Sequence, residues 1–239
     1  SYGFASDERI TCTFTERGLW SIADLNVPSG ELTVVPTPVT DVTGRVVQGD
    51  IAVFRGGSST MPSSVFRHDL KTGDTAKLRQ SSDTVPDAGY LSNPEAIEFP
   101  TTGDRTAHGF YYPPANKDYE GSDGELPPLV VLSHGGPTGS TDTTLDLQLQ
   151  YWTSRGFAVL DVNYGGSTGY GRAYRERLND TWGITDVDDC VAGANYLVDK
   201  GLVDGNRLTI RGWSASGYTT LAALAFTDVF KAGASHFGI

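Results

Sequence analysis

The sequence predicts an α/β fold, a parallel sheet flanked by helices, with a smaller all-β region ahead of it. Three observations carry this expectation. Up to about Asp87, short apolar runs alternate with turn clusters at strand spacing. After Pro94, apolar runs of strand length alternate with segments of helical periodicity, the pattern of parallel strands joined by helices. Between Leu208 and Phe226 a short apolar strand turns into a long apolar helix, with Ser214 at the corner.

In the first region, Gly18 to Leu25 reads as a strand, Asn26 to Gly30 as a turn and Glu31 to Val35 as the returning strand. The pattern recurs at Ser64 to Leu70, Lys71 to Gly73 and Asp74 to Leu78. Repeats of roughly 40 to 50 residues built of a few strands are propeller blades, and about four to eight are needed for closure. The two echoes are therefore expected to be terminal blades, with the others upstream of Ser1. Two unrelated hairpins sharing a turn type remain the alternative.

In the second region, Ala96 to Phe99 and Thr106 to Tyr112 read as strands, followed by a loop rich in Pro, Gly and Asp from Pro113 to Pro128. Leu129 to Leu132 is a buried strand ending in Ser133-His-Gly-Gly-Pro137. A helix over Leu145 to Arg155 and a buried strand over Phe157 to Val162 come next. The spacing of Val187, Val191, Ala194 and Val198 predicts a helix over Val187 to Lys200, stopped by Gly201. Leu208 to Arg211 is a strand, Tyr218 to Phe230 a helix, and Ala232 to Ile239 reads as a small-residue buried strand just finishing. The boundary between regions falls near residue 90, giving domains 1–90 and 91–239, the second expected to continue past Ile239.

Composition narrows the function. With 38% hydrophobic residues and no long apolar run, nothing spans a membrane as a helix. A net charge of −11 disfavours nucleic acid and leaves peptides or small molecules as partners. Cys12 and Cys190 match no metal spacing and read as free thiols of a reducing, cytoplasmic compartment. No phosphate loop, dinucleotide fingerprint or zinc pattern occurs, so neither cofactor nor metal is expected.

A strict search for Gly-x-Ser-x-Gly selects Ser167, in Gly165-Gly-Ser-Thr-Gly169, and misses Ser214. Context decides between them. A strained nucleophile corner needs a strand before it and a helix immediately after it. Ser214 is followed by the apolar run Tyr218 to Phe226, whereas Ser167 is followed by glycines and then the polar stretch Tyr174 to Asp180. Ser214 is thus the candidate nucleophile, and Ser167 part of a glycine-rich loop at the same sheet edge. Glycines after His134 let backbone N–H groups approach a developing oxyanion. His134 itself reads as shaping that loop rather than transferring protons. His68 and His108 read as structural, without carboxylate partners, and Asp186, Asp188 and Asp189 as acids complementing a helix N-terminus.

Together, His134-Gly-Gly-Pro137, Gln150 to Phe157, Asn163 to Gly171 and Arg211 to Tyr218 resemble the prolyl oligopeptidase family of serine peptidases, in its acylaminoacyl-peptidase or dipeptidyl-aminopeptidase-like branch. The resemblance covers about residues 95 to 239 and, more loosely, the upstream repeats. It implies an α/β-hydrolase domain, incomplete here and preceded by the last blades of a β-propeller that limits access to short peptides. It also implies Ser214 as nucleophile, with the N–H groups of Gly136 and Ala215 as the oxyanion hole. An esterase or amidase on small acyl compounds, or a non-catalytic binding module, are the alternatives.

Two departures stand out. The family's elbow usually has glycine where this chain has Ser216. The added Cβ and hydroxyl are expected to displace the helix or reduce activity, so that Ser216→Gly preserves or raises turnover. Gly165 replaces an arginine common in the family. After Ser214 only Asp228 and His236 could complete a triad. A helix rising about 1.5 Å per residue would carry Asp228 about 20 Å away, so the acid and base are expected beyond Ile239 and this stretch alone is expected to be inactive.

Overall fold

The computed structural model describes residues 2–239, which divide into two compact units. One contains residues up to Pro86 together with Asp142–Asp146; the other contains Asp87–Thr141 and Leu147–Ile239.

The first unit is two antiparallel four-stranded meanders. β1 (Tyr2–Ser6), β2 (Arg9–Glu16), β3 (Leu19–Asn26) and β4 (Leu32–Val35) pair in sequence order, as do β5 (Asp41–Gln48), β6 (Ile51–Ser58), β7 (Met61–Asp69) and β8 (Thr75–Gln80). The two hairpins legible in the sequence are β3–β4 and β7–β8, the third and fourth strands of their respective sheets. Period-two burial in β7 sends Phe66 and His68 inward while Val65 faces out. Ile22, Val42, Phe54 and Phe66 form the core, the two phenylalanine rings stacked at 5.4 Å. Segment 142–146 is fastened there by Leu145 N–H donating to the Ser58 carbonyl at 2.8 Å and by a 2.7 Å bond between the Thr40 and Thr143 hydroxyls.

The second unit is a six-stranded mixed sheet. Its strands are β9 (Glu95–Thr101), β10 (Arg105–Tyr112), β11 (Leu129–Ser133), β12 (Ala158–Asn163), β13 (Leu208–Trp213) and β14 (Ala232–His236), in the order β14-β13-β11-β12-β10-β9. β11 to β14 run parallel; β10 pairs antiparallel with β9 and β12, so the expectation of a wholly parallel sheet is corrected at that end. β11 is buried at every position, as a strand covered on both faces must be. The helices are α1 (Leu147–Thr153), a short α2 (Arg172–Arg175), α3 (Thr185–Asp199) and α4 (Ala215–Phe226). α3 buries Val187, Cys190, Ala194 and Leu197 against the sheet; of the face its spacing predicted, Val187 and Ala194 are buried and Val191 and Val198 partly so.

Two readings of the sequence need correction here. β14 pairs with β13, yet Ala232, Gly233, Ala234 and His236 are exposed, so it is not a buried strand. His108 does have a carboxylate opposite it, Glu98, 3.8 Å from its Nδ1 across β9–β10. Cys12 and Cys190 are free thiols, and no helix among the described residues is long and apolar enough to cross a membrane.

Candidate active site

β13 ends at Trp213 and α4 begins at Ala215, leaving Ser214 alone at the corner with φ 55° and ψ −129°. A side chain at positive φ costs about 1–3 kcal/mol and persists only where its surroundings fix it. The strand side fixes it through Ser214 N–H donating to the His236 carbonyl at 3.1 Å. The helix side fixes it through the Gly217 and Tyr218 N–H groups, which reach the Ser214 carbonyl at 2.9 and 3.2 Å. The Ser214 hydroxyl makes no cap bond and is half-buried. Ala215 opens α4, where helix geometry leaves its N–H without an intrahelical acceptor.

Ser216 is bonded into the corner. Its Oγ accepts from Trp213 N–H and donates to the Trp213 carbonyl, both at 2.9 Å, and the residue is fully buried. The crossing that admits no side chain is at Gly212, where a Cβ would meet the Ser216 carbonyl oxygen at 2.4 Å. A demand for glycine at this crossing therefore falls on Gly212, on the strand side of the corner.

The loop after β11 lies against this corner. A Cβ on Gly135 would stand 3.7 Å from Ser214 Cβ and 3.5 Å from the Trp213 carbonyl oxygen. Gly136, at φ 132°, could carry no side chain, because a Cβ would meet Thr138 N at 2.8 Å and Gly139 N at 2.9 Å. His134 is buried; its Nδ1 bonds the Gly135 carbonyl at 2.9 Å and its Nε2 bonds Ser167 Oγ at 2.6 Å. Burial pushes its pKa down to about 4, opposed only partly by the bond to Gly135, so the ring is neutral at neutral pH.

The loop after β12 braces the same turn. Tyr164 stacks on the His134 ring at 4.4 Å and donates to the Pro137 carbonyl at 2.7 Å. Thr168 N–H donates to the Gly139 carbonyl at 2.8 Å, and Asn163 Oδ1 accepts from Thr141 N–H at 2.9 Å. Sequence reasoning placed Ser167 at this edge but missed its bond to His134; the strict motif was the available signal. At Gly165 the space for a side chain is taken, since a Cβ would meet Thr185 Cγ2 at 2.9 Å and Arg177 Cδ at 3.2 Å. Its N–H donates to Asp189 at 2.6 Å.

The acids of α3 hold the frame. Asp189 also accepts from Thr101, and Asp186 accepts from Thr219 of α4 and from Gly183 N–H. Burial pushes both carboxyls up and these bonds pull them back. Among the described residues neither remaining triad candidate bonds Ser214 through its side chain: Asp228 lies past the far end of α4, and the exposed His236 ring neighbours Phe237. A wide cleft lined by Tyr119, Pro128, Phe157 and Arg207 opens where β11, β12 and β13 begin, the opposite end of these strands from Ser214.

Corner, loop and sheet set a strained serine beside a glycine turn, and comparison with known proteins shows what the chain is similar to. Residues 143–239 match the prolyl oligopeptidase family. The chain is 26% identical over 228 residues to dipeptidyl aminopeptidase BIII of Pseudoxanthomonas mexicana, covering 93% of this chain and 33% of that protein. It is 33% identical over 98 residues to the acylamino-acid-releasing enzyme of Arabidopsis thaliana, covering 41% of this chain and 13% of that one. A solved puromycin-hydrolysing peptidase from Mycobacterium tuberculosis superposes over 100% of this chain and 37% of its own, with TM-score 0.96 and 44% identity. The chain is thus similar to prolyl oligopeptidase family peptidases, through its residues 143–239 above all, and spans about a third of the first-named relative and of the solved peptidase.

Proposed function

We propose that this chain carries the nucleophile and oxyanion-binding parts of a peptidase that releases amino-terminal units, acylated or free, from short peptides. On this reading residues 1–90 are the terminal blades of a β-propeller, and 91–239 are the first part of an α/β-hydrolase domain. Ser214 Oγ attacks the scissile carbonyl, and the N–H groups of Gly136 and Ala215 stabilise the tetrahedral oxyanion. The amine leaves, and water hydrolyses the acyl-enzyme. The histidine that takes the Ser214 proton, and its orienting acid, come from parts of the full-length protein outside residues 2–239. The 239-residue chain alone is then inactive.

The observation that carries this reading is the strained corner at Ser214 with the Gly135–Gly136 turn packed on it. The first substrates to test are aminoacyl and acyl-aminoacyl anilides, together with puromycin, which the Mycobacterium tuberculosis relative hydrolyses. In full-length protein a fluorophosphonate is expected to label Ser214, and Ser214→Ala to abolish both labelling and turnover. Cleavage of short-chain esters alone would favour the esterase reading, and absence of labelling in folded protein would favour a binding module.

A further inference from the structure

We propose that Ser167 is a positioning residue for the oxyanion loop, fixing the direction of the Gly136 N–H through His134. This role rests on the reading of Ser214 and Gly136 given above. The bonds admit one proton arrangement. The Gly135 carbonyl can only accept, so His134 Nδ1 carries the imidazole proton and donates at 2.9 Å. A neutral ring then leaves Nε2 bare, and the Ser167 hydroxyl donates to it at 2.6 Å. Tyr164 does not compete strongly for Nδ1, since its hydroxyl is 3.4 Å away and donates to the Pro137 carbonyl at 2.7 Å.

The consequence lies in the peptide between Gly135 and Gly136. Across a trans peptide C=O and N–H point in opposite directions, so holding the Gly135 oxygen on His134 turns the Gly136 N–H away from the buried ring. A peptide flanked by two glycines has no Cβ to resist flipping, and it needs such a lock. Without Ser167, the imidazole is free to move its proton to Nε2. Nδ1 then becomes an acceptor facing the Gly135 oxygen, and the lock is released. Ser167 is fully buried, so water does not readily replace its hydroxyl.

The test uses full-length protein. Imidazole ¹⁵N shifts are expected to show His134 as a single Nδ1–H tautomer, and in Ser167→Ala as a mixture. Ser167→Ala is expected to lower kcat about 10- to 100-fold while KM changes by less than about threefold, because the lost interaction acts on the oxyanion. Ser167→Cys, which keeps a weak donor, should fall between. An Nε2–H tautomer in the wild-type protein, or unchanged kcat in folded Ser167→Ala, would overturn the role. Absence of fluorophosphonate labelling at wild-type Ser214 would instead overturn the parent reading, and the tautomer measurement separates the two because it needs no turnover.

Discussion

At the corner, the Ser216 hydroxyl accepts from the Trp213 N–H and also donates to the Trp213 carbonyl. Ser216→Ala removes both bonds, an expected loss of about 1–3 kcal/mol in chemical denaturation. Ser216→Gly adds about 1 kcal/mol of helix propensity to that loss and should lower, not raise, the midpoint. His134 makes a second prediction, with a defined sign. Its pKa lies near 4 in the folded chain and near 6.5 when unfolded, so the unfolded state binds the proton more readily. The stability contributed by the neutral ring is present above about pH 6.5 and is lost as pH falls toward about 4, on the order of 3 kcal/mol in all. The stability gap between wild type and His134→Gln should therefore narrow over that window, as read by denaturation at each pH.

Elements tell how far the sequence could be read. The strands of the second unit and α3 were legible because burial on both faces, or on one helical face, writes a period into the chain. α4 was placed too late, from Tyr218, because Ala215, Ser216 and Gly217 are small residues of weak pattern; they form its first turn since Asp186 and Ser235 hold that end. β1, β2, β5 and β6 were not resolved individually: polar alternation such as Arg9 to Glu16 gives a strand tendency without a boundary, and their meander partners decide the register. The corner at Ser214 was legible from strand, serine and helix; the buried bond from Ser167 to His134 was not, since it joins two loops through tertiary packing. Gly212 tests the crossing directly. Gly212→Ala drives a Cβ into the Ser216 carbonyl, and fluorophosphonate labelling of full-length protein should fall by at least about tenfold. In the first unit, Asp41 at the start of β5 is nearly buried, with Asp142 close by, and its pKa is pushed up to about 6, mainly by burial. A carboxyl raised in the folded state favours folding at low pH, a contribution lost as pH rises from about 4 through 6. Asp41→Asn should therefore stabilise this unit by about 1–3 kcal/mol at pH 7 and lose that advantage near pH 4.

For the whole molecule, the division of labour proposed for Ser214 has a simple test. The full-length protein should turn over an aminoacyl anilide, and residues 1–239 produced alone should not, because no acidic or histidine side chain among the described residues is bonded to Ser214. Recovery of full activity by the short chain would show that His236 or another described residue serves as base. β14 bears on how that comparison is made. It lies at the end of its sheet with small, uncharged side chains in the open, and none of the lysines, prolines or bulges that discourage strand pairing occurs between Ala232 and His236. Such a strand is a template for a second chain, so residues 1–239 should self-associate as concentration rises, by light scattering, and Ala234→Lys should suppress it. A silent assay of the short chain is informative only at a concentration where it stays monomeric, since aggregation would hide Ser214 as effectively as a missing base.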